Sequence, residues 1–243
     1  MKKKLMLSAI AVMAFAGNAM AADLAARPYT KAPPPVVAPI YNWTGFYIGV
    51  NGGGGWGDSR WQFAAAPFNT NHNTSGGMAG GQIGYNWQVT PSWVLGLEAD
   101  GDWADINGST TCPAGPLTAC STNTRSLASF RGRVGWAVNN VLFYGTAGAG
   151  YANTRYNALP AVGTIGTFSS DRWGYAAGAG VEWGFAPNWS AKVEYMHYGF
   201  DTATAPIGTL GGLGTAALRL DIDTVKAGIN YRFNWGGPVV ARY

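Results

Sequence analysis

Between residues 43 and 233 the chain keeps one rhythm. Apolar side chains take alternate positions through segments of about 12–16 residues, the period of a β-strand. In "WVLGLEADGDW", residues 93–103, Trp93, Leu95, Leu97, Ala99 and Trp103 fall on one face, and Val94, Gly96, Glu98, Asp100 and Asp102 on the other. Seven further segments behave alike. Residues 43–57 carry Phe46, Ile48, Val50 and Trp56 on the apolar face; residues 76–89 set Gly81, Ile83, Tyr85, Trp87 and Val89 against Gln82, Gly84, Asn86 and Gln88. Residues 125–138 set Phe130, Val134, Trp136 and Val138 against Ser129, Arg131, Arg133 and Gly135; residues 141–155 set Val141, Phe143, Ala147, Ala149 and Tyr151 against Tyr144, Thr146 and Gly148. Residues 172–185 set Trp173, Tyr175, Val181, Trp183 and Phe185 against Gly178, Gly180 and Glu182. Residues 189–200 set Trp189, Ala191, Val193 and Tyr195 against Lys192, Glu194 and Met196; residues 220–233 set Val225, Ala227, Ile229, Tyr231 and Phe233 against Lys226, Gly228, Asn230 and Arg232.

The connectors alternate in length. "TPS" at 90–92, "NN" at 139–140 and "APN" at 186–188 are short, whereas 58–75, 104–124, 156–171 and 201–219 are long. The short ones supply a parity test. They set Val89 opposite Trp93, Val138 opposite Val141 and Phe185 opposite Trp189, each pair on the apolar face, and a one-residue slip would break that agreement. Asn-Asn suits a type I′ turn. Eight alternating strands with short turns on one rim and long loops on the other predict an all-β fold. It is an eight-stranded antiparallel up-and-down transmembrane β-barrel with short periplasmic turns and long extracellular loops. Trp87, Trp93, Trp136, Phe143, Trp183, Phe185 and Trp189 flank the short turns, where an aromatic girdle belongs. A soluble β-sandwich would have to bury nearly all these rings in one small core.

Composition points the same way. Charged residues are 12% of the chain, about half the usual share, while aromatics are 14% and glycine numbers 36. Residues 1–21 read as a signal peptide: Lys2, Lys3 and Lys4, an apolar run, and small residues at Ala19 and Ala21. Loss of those three lysines lowers the formal charge from +4 to +1, which leaves no footprint for nucleic acid. Residues 22–41 hold five prolines and read as a periplasmic tail, and the barrel takes residues 42–243. Beyond the signal no apolar run reaches the roughly 18 residues of a membrane helix. Export to an oxidising compartment and an even count favour a disulfide between Cys112 and Cys120.

Gly52, Gly54 and Gly57 in "NGGGGWG" match the spacing of a dinucleotide loop. Such a loop opens a helix and has an acidic residue about 20 positions on. Here the flanking segments alternate, and no Asp or Glu occurs between Asp58 and Glu98. The glycines read as strand residues in a narrow barrel.

The candidates for chemistry all fall on lumenal parity: Glu98, Asp100, Asp102, Arg131, Arg133, Glu182, Lys192, Glu194, Lys226 and Arg232. An eight-stranded barrel has an interior just filled by side chains, so these charges are expected to neutralise one another across strands rather than to catalyse. The "APN" turn sets Glu182 opposite Lys192; the register between the acidic segment and Arg131 and Arg133 stays open. His72 is expected in an outer loop and His197 near an outer strand end. No Ser/His/Asp set stands out, and neither a metal nor a cofactor is expected.

"NWTGFYIGVNGGGGWG", "RGRVGWAV", "WSAKVEYMHYGF" and "VKAGINYRFNWGGPVVARY" resemble the small outer-membrane proteins of alphaproteobacteria, which carry a porin-family label and share an OmpA-like barrel. The resemblance runs from about Asn42 to the end of the chain. It also suggests a last-strand signal for the barrel-assembly machinery at Lys226, Gly228, Tyr231 and Phe233, although ten residues follow Phe233. It implies an integral outer-membrane protein with a structural, surface-antigen role and no catalysis. Its partners would be outer-membrane lipid and lipopolysaccharide, with host or envelope proteins meeting the outer loops. The alternatives are a porin or small-solute channel, a loop-borne adhesin or haem receptor, and a barrel hydrolase. No haem-ligand motif supports the receptor, and no Ser/His pair the hydrolase.

Overall fold

In the computed structural model, residues 41–63, 69–111, 117–160, 166–206 and 215–233 are described. The expected signal peptide, all of the tail except Tyr41, Cys112 and the last ten residues lie outside them. The strands are β1 (Gly45–Phe63), β2 (Asn69–Gln88), β3 (Trp93–Thr110), β4 (Leu117–Val138), β5 (Val141–Pro160), β6 (Gly166–Ala186), β7 (Trp189–Pro206) and β8 (Thr215–Phe233). Each pairs antiparallel with the next, and β1 pairs with β8, closing the barrel in the order β1 to β8. The glycine run lies inside β1, hydrogen-bonded on both sides to β2 and β8.

The cross-strand pairing expected at the short turns holds in two of the three. Val89 N–H donates to the Trp93 carbonyl at 2.9 Å, and Val138 is opposite Val141. At the third turn a bulge between Gly184 and Ala186 sets Ala186, not Phe185, opposite Trp189. A bulge inserts one extra residue without exchanging the faces beyond it, so Phe185 and Trp189 both still point outward. The Asn139–Asn140 turn also departs from expectation. Only Asn139 has a left-handed φ, 55°, whereas type I′ needs both central residues there. One positive φ, at the first central position, is the sign pattern of type II′.

All seven expected girdle residues point outward, as do Trp56, Trp103 and Trp173 farther up the wall. On β3 the two levels are marked by Trp93 and Trp103. Ten residues of strand span roughly 33 Å, or about 25 Å along the normal at a tilt near 40°, the height of an outer-membrane apolar band. Between the levels the outer wall carries Ile48, Val50, Ile83, Leu97, Val134, Val181, Val193 and Ile229.

The strands run well past the upper level. Most of what alternation alone assigned to long loops is strand, leaving connectors at 64–68, 111–116, 161–165 and 207–214. The reason is an inversion of polarity. On β8, Val225, Ala227 and Ile229 face out while Thr224, Lys226 and Asn230 are buried; above them Leu218, Leu220 and Ile222 are buried while Arg219, Asp221 and Asp223 face out. On β3, Ile106 is buried between the outward Asp105 and Asn107. The lower wall is solvated by hydrocarbon and the upper wall by water, so the same period reads with opposite sign. A membrane strand needs only about 9–11 residues, and the surplus stands beyond the bilayer.

Val193→Arg, on the lipid-facing wall, is expected to lower the unfolding free energy in lipid vesicles by about 2–4 kcal/mol, and Asn107→Arg, above the band, by about 0–1 kcal/mol; denaturant titrations in vesicles measure both. Cys120 is buried and disulfide-bonded, and its expected partner Cys112 lies outside the described residues. A thiol-specific maleimide should leave unreduced protein unlabelled and add two labels after reduction.

Candidate functional site: the charged interior

The interior below the inversion is built by the lumenal parity of all eight strands. The β3–β4 register, left open by sequence, sets Glu98 opposite Arg131 and Gly96 opposite Arg133. Glu98 is the hub. Its carboxylate meets Arg131 Nη2 at 2.6 Å, Lys192 Nζ at 2.9 Å and Arg133 Nη1 at 3.3 Å, and accepts from the Tyr47 hydroxyl at 2.7 Å. Arg131 also reaches Asp100 at 2.8 Å and Glu194 at 3.1 Å. Lys226 bridges Asp100 at 2.8 Å and Asp102 at 2.9 Å. Arg133 donates to Glu182 at 2.8 Å and lies 3.9 Å over the Tyr144 ring, whose hydroxyl donates to Glu194 at 2.9 Å.

The cross-strand register does put Glu182 opposite Lys192, but they are not ion-paired with each other. Glu182 turns to Arg133, Ser190 and Asn230, while Lys192 turns to Glu98, with Glu194 farther off at 3.9 Å. Long side chains in a narrow lumen reach across it, so adjacency along the sheet does not choose the partner. Arg232 is the other departure. It sits at the short-turn mouth, donating to the Pro187 carbonyl at 2.7 Å and lying 4.4 Å over Tyr41. Among the described residues it pairs with no carboxylate, so it stands outside the network. Of the suggested assembly residues, Lys226 belongs to the network, while Tyr231 and Phe233 form an outer aromatic pair with ring centroids 5.0 Å apart.

Sequence reasoning overlooked Tyr47 and Asn51, which share parity with Gly49 between outward apolar neighbours. Asn51 donates to Gln82, and Gln82 to Asn230, both at 2.7 Å. Two glycines make room for the tyrosines. A Cβ on Gly84 would overlap the Tyr47 hydroxyl, and one on Gly180 the Tyr144 hydroxyl. Apolar layers lie on either side of the charges. Trp43, Val94, Ala137 and Leu142 pack below, and Met78, Ile106, Leu127, Met196, Leu220 and Ile222 above.

The histidines are elsewhere. His72 is not in a loop: it is in β2, buried inside the barrel, with Nε2 3.0 Å from the Thr122 hydroxyl. His197 is on the outer wall, its Nδ1 2.8 Å from Asp223 and its Nε2 3.3 Å from the Tyr175 hydroxyl.

A closed antiparallel barrel with an apolar wall between two aromatic levels and an interior filled with paired charges is a transmembrane barrel of the outer-membrane kind. The family model for the outer membrane protein beta-barrel domain matches residues 7–233, and the chain belongs to that family. It is 31% identical to the 31 kDa outer-membrane immunogenic protein of Brucella melitensis, over 95% of this chain and all of that one. It is 30% identical to a 22 kDa outer membrane protein of Rhizobium leguminosarum over 81% of each. Among solved structures, the outer membrane protease OmpT of Escherichia coli superposes with a TM-score of 0.51 over 81% of this chain and 99% of that one. At 9% identity this likeness is one of fold alone. The chain is an integral protein of the outer membrane, with short turns toward the periplasm and the extended rim outside.

Glu98→Gln leaves Arg131, Arg133 and Lys192 short of one carboxylate and is expected to cost about 3–5 kcal/mol of stability in micelles. Adding Lys192→Met should restore part of that, with a coupling of about 0.5–3 kcal/mol in a double-mutant cycle.

Proposed function

We propose that this protein is a structural, surface-presenting component of the outer membrane that neither catalyses a reaction nor conducts solute. The interior plug carries the reading. Five carboxylates and four cations, each no more than 6% exposed, fill the lumen between two apolar layers. An eight-stranded interior is just wide enough for its own side chains, and these are held by ion pairs of 2.6–3.3 Å with 3.9 Å for one pair. A channel would need that network to come apart. Every carboxylate in it is engaged by a cation, which leaves none placed as a general base.

The Brucella relatives are named as immunogenic. Here the extended upper wall and its four connectors are the parts offered to the outside. Lipid and lipopolysaccharide meet the apolar wall, and host or envelope proteins meet the rim. The end of β8, with Gly228, Tyr231 and Phe233 after Lys226, serves the barrel-assembly machinery during insertion.

In planar bilayers the purified protein is expected to give no defined conductance steps; reproducible steps would sink this reading and select the channel. On intact cells an antibody should reach an epitope inserted in connector 207–214, and should reach one inserted after Asn139 only once the outer membrane is permeabilised.

A further inference from the structure

Above the apolar layer at Met78 and Ile222 the interior turns polar again around a second arginine site. Arg172 is 3% exposed, and none of its three guanidinium nitrogens has a hydrogen-bond partner. It lies 5.1 Å over the Tyr156 ring, whose hydroxyl also lacks a partner in bonding geometry. Tyr156 stacks edge-on against Trp61 at 5.7 Å, and Trp61 lies 6.4 Å from the His72 ring. His72 Nε2 and the Ser59 hydroxyl each approach the Thr122 hydroxyl at 3.0 Å, and His72 Nδ1 is unpartnered.

The contrast with the plug is sharp. Arg131, Arg133, Lys192 and Lys226 each have a carboxylate within 2.6–2.9 Å, because an uncompensated buried charge is strongly unfavourable. Among the described residues Arg172 has none. Inward positions above the Met196 level carry no Asp or Glu among the described residues. The connectors "AAAPF", "TCPAGP", "AVGTI" and "IGTLGGLG" contain no acidic residue either. The neighbouring Asp171 points to the outer wall, where Tyr151 and Asn153 donate to it at 2.8 and 2.6 Å. No carboxylate of the described strands or of the four connectors meets Arg172, which leaves its guanidinium open to an anion from solution. A guanidinium presents its donors as a planar fork that matches an oxyanion.

We propose that Arg172, with the Tyr156 ring against it, forms a binding site for a small soluble oxyanion, a phosphate or a carboxylate, in the extracellular third of the barrel interior. The ring facing Arg172 supplies stacking and a hydroxyl donor rather than a competing base, and the hydroxyls of Ser59 and Thr122 line the adjoining wall. Lipid phosphate on the outer wall is separated from this site by the sheet itself.

The test uses full-length protein folded in neutral detergent micelles, its folding checked by heat-dependent migration. Inorganic phosphate and, separately, acetate are titrated at constant ionic strength. In wild type at least one of them should shift the Arg172 Nε–H resonance, identified by its loss in Arg172→Lys, and the shift should saturate. A ligand that binds only the native state raises the unfolding midpoint with concentration. The midpoint of wild type should therefore climb with the same anion, and that of Arg172→Gln should stay flat. Without anion Arg172→Gln should unfold no earlier than wild type, because it removes an unpaired charge. Purified lipopolysaccharide should leave the resonance where it was. No saturable shift with either anion, an equal midpoint response in Arg172→Gln, or a shift with lipopolysaccharide alone would each overturn the site. Should Arg172→Gln fail to fold, the wild-type resonance decides by itself.

Discussion

Hydrocarbon on the outside of the wall is the constraint from which the rest of this molecule follows. It admits apolar side chains at every second position and drives each polar partner to the other face. The backbone has no water to bond at that depth, so the sheet must close on itself. Closure with eight strands leaves an interior about one side chain deep in every direction. Nine charged groups forced into that space are deprived of water, and neutralising one another is the only arrangement open to them. The network around Glu98 is thus a consequence of the lipid outside as much as of any affinity among its members.

The same reasoning accounts for the glycines. A narrow lumen cannot hold a Cβ at each inward position and also the long side chains that must cross it. Gly84 and Gly180 are the clearest cases, since each gives way to a tyrosine hydroxyl bound to a carboxylate of the plug. Gly52, Gly54 and Gly57 sit in a continuous strand between β2 and β8, where nothing resembles a phosphate cradle opening a helix.

Where the outer solvent changes from lipid to water, the inside and the outside exchange character. Leu218, Leu220 and Ile222 then make a small apolar core of the kind found in a soluble barrel, and Arg219 and Asp221 meet water. The molecule is two barrels in series on one set of strands. The lower one neutralises its own charges; the upper one buries Arg172 against the Tyr156 ring, with no carboxylate beside it among the described residues.

Much of this was written in one dimension. Alternation depends on each residue and its neighbours two positions away, so the outward faces, the parity across the short turns, the outward direction of the rings from Trp87 to Trp189 and the inward placement of the charges were all legible. What escaped depends on distances across the lumen or on a change of solvent. Glu182 and Lys192 are opposite in the sheet yet find partners elsewhere, because Arg133 and Glu98 reach them through the interior. Arg232 shares the parity of Lys226 but lies at the mouth, where among the described residues its guanidinium meets the Pro187 carbonyl and the Tyr41 ring. His72 and Arg172 sit where the pattern inverts, so their segments looked like loop and strand end. A strand's sequence records which side each residue faces. The solvent on that side, and the group waiting across the barrel, exist only once the sheet has closed.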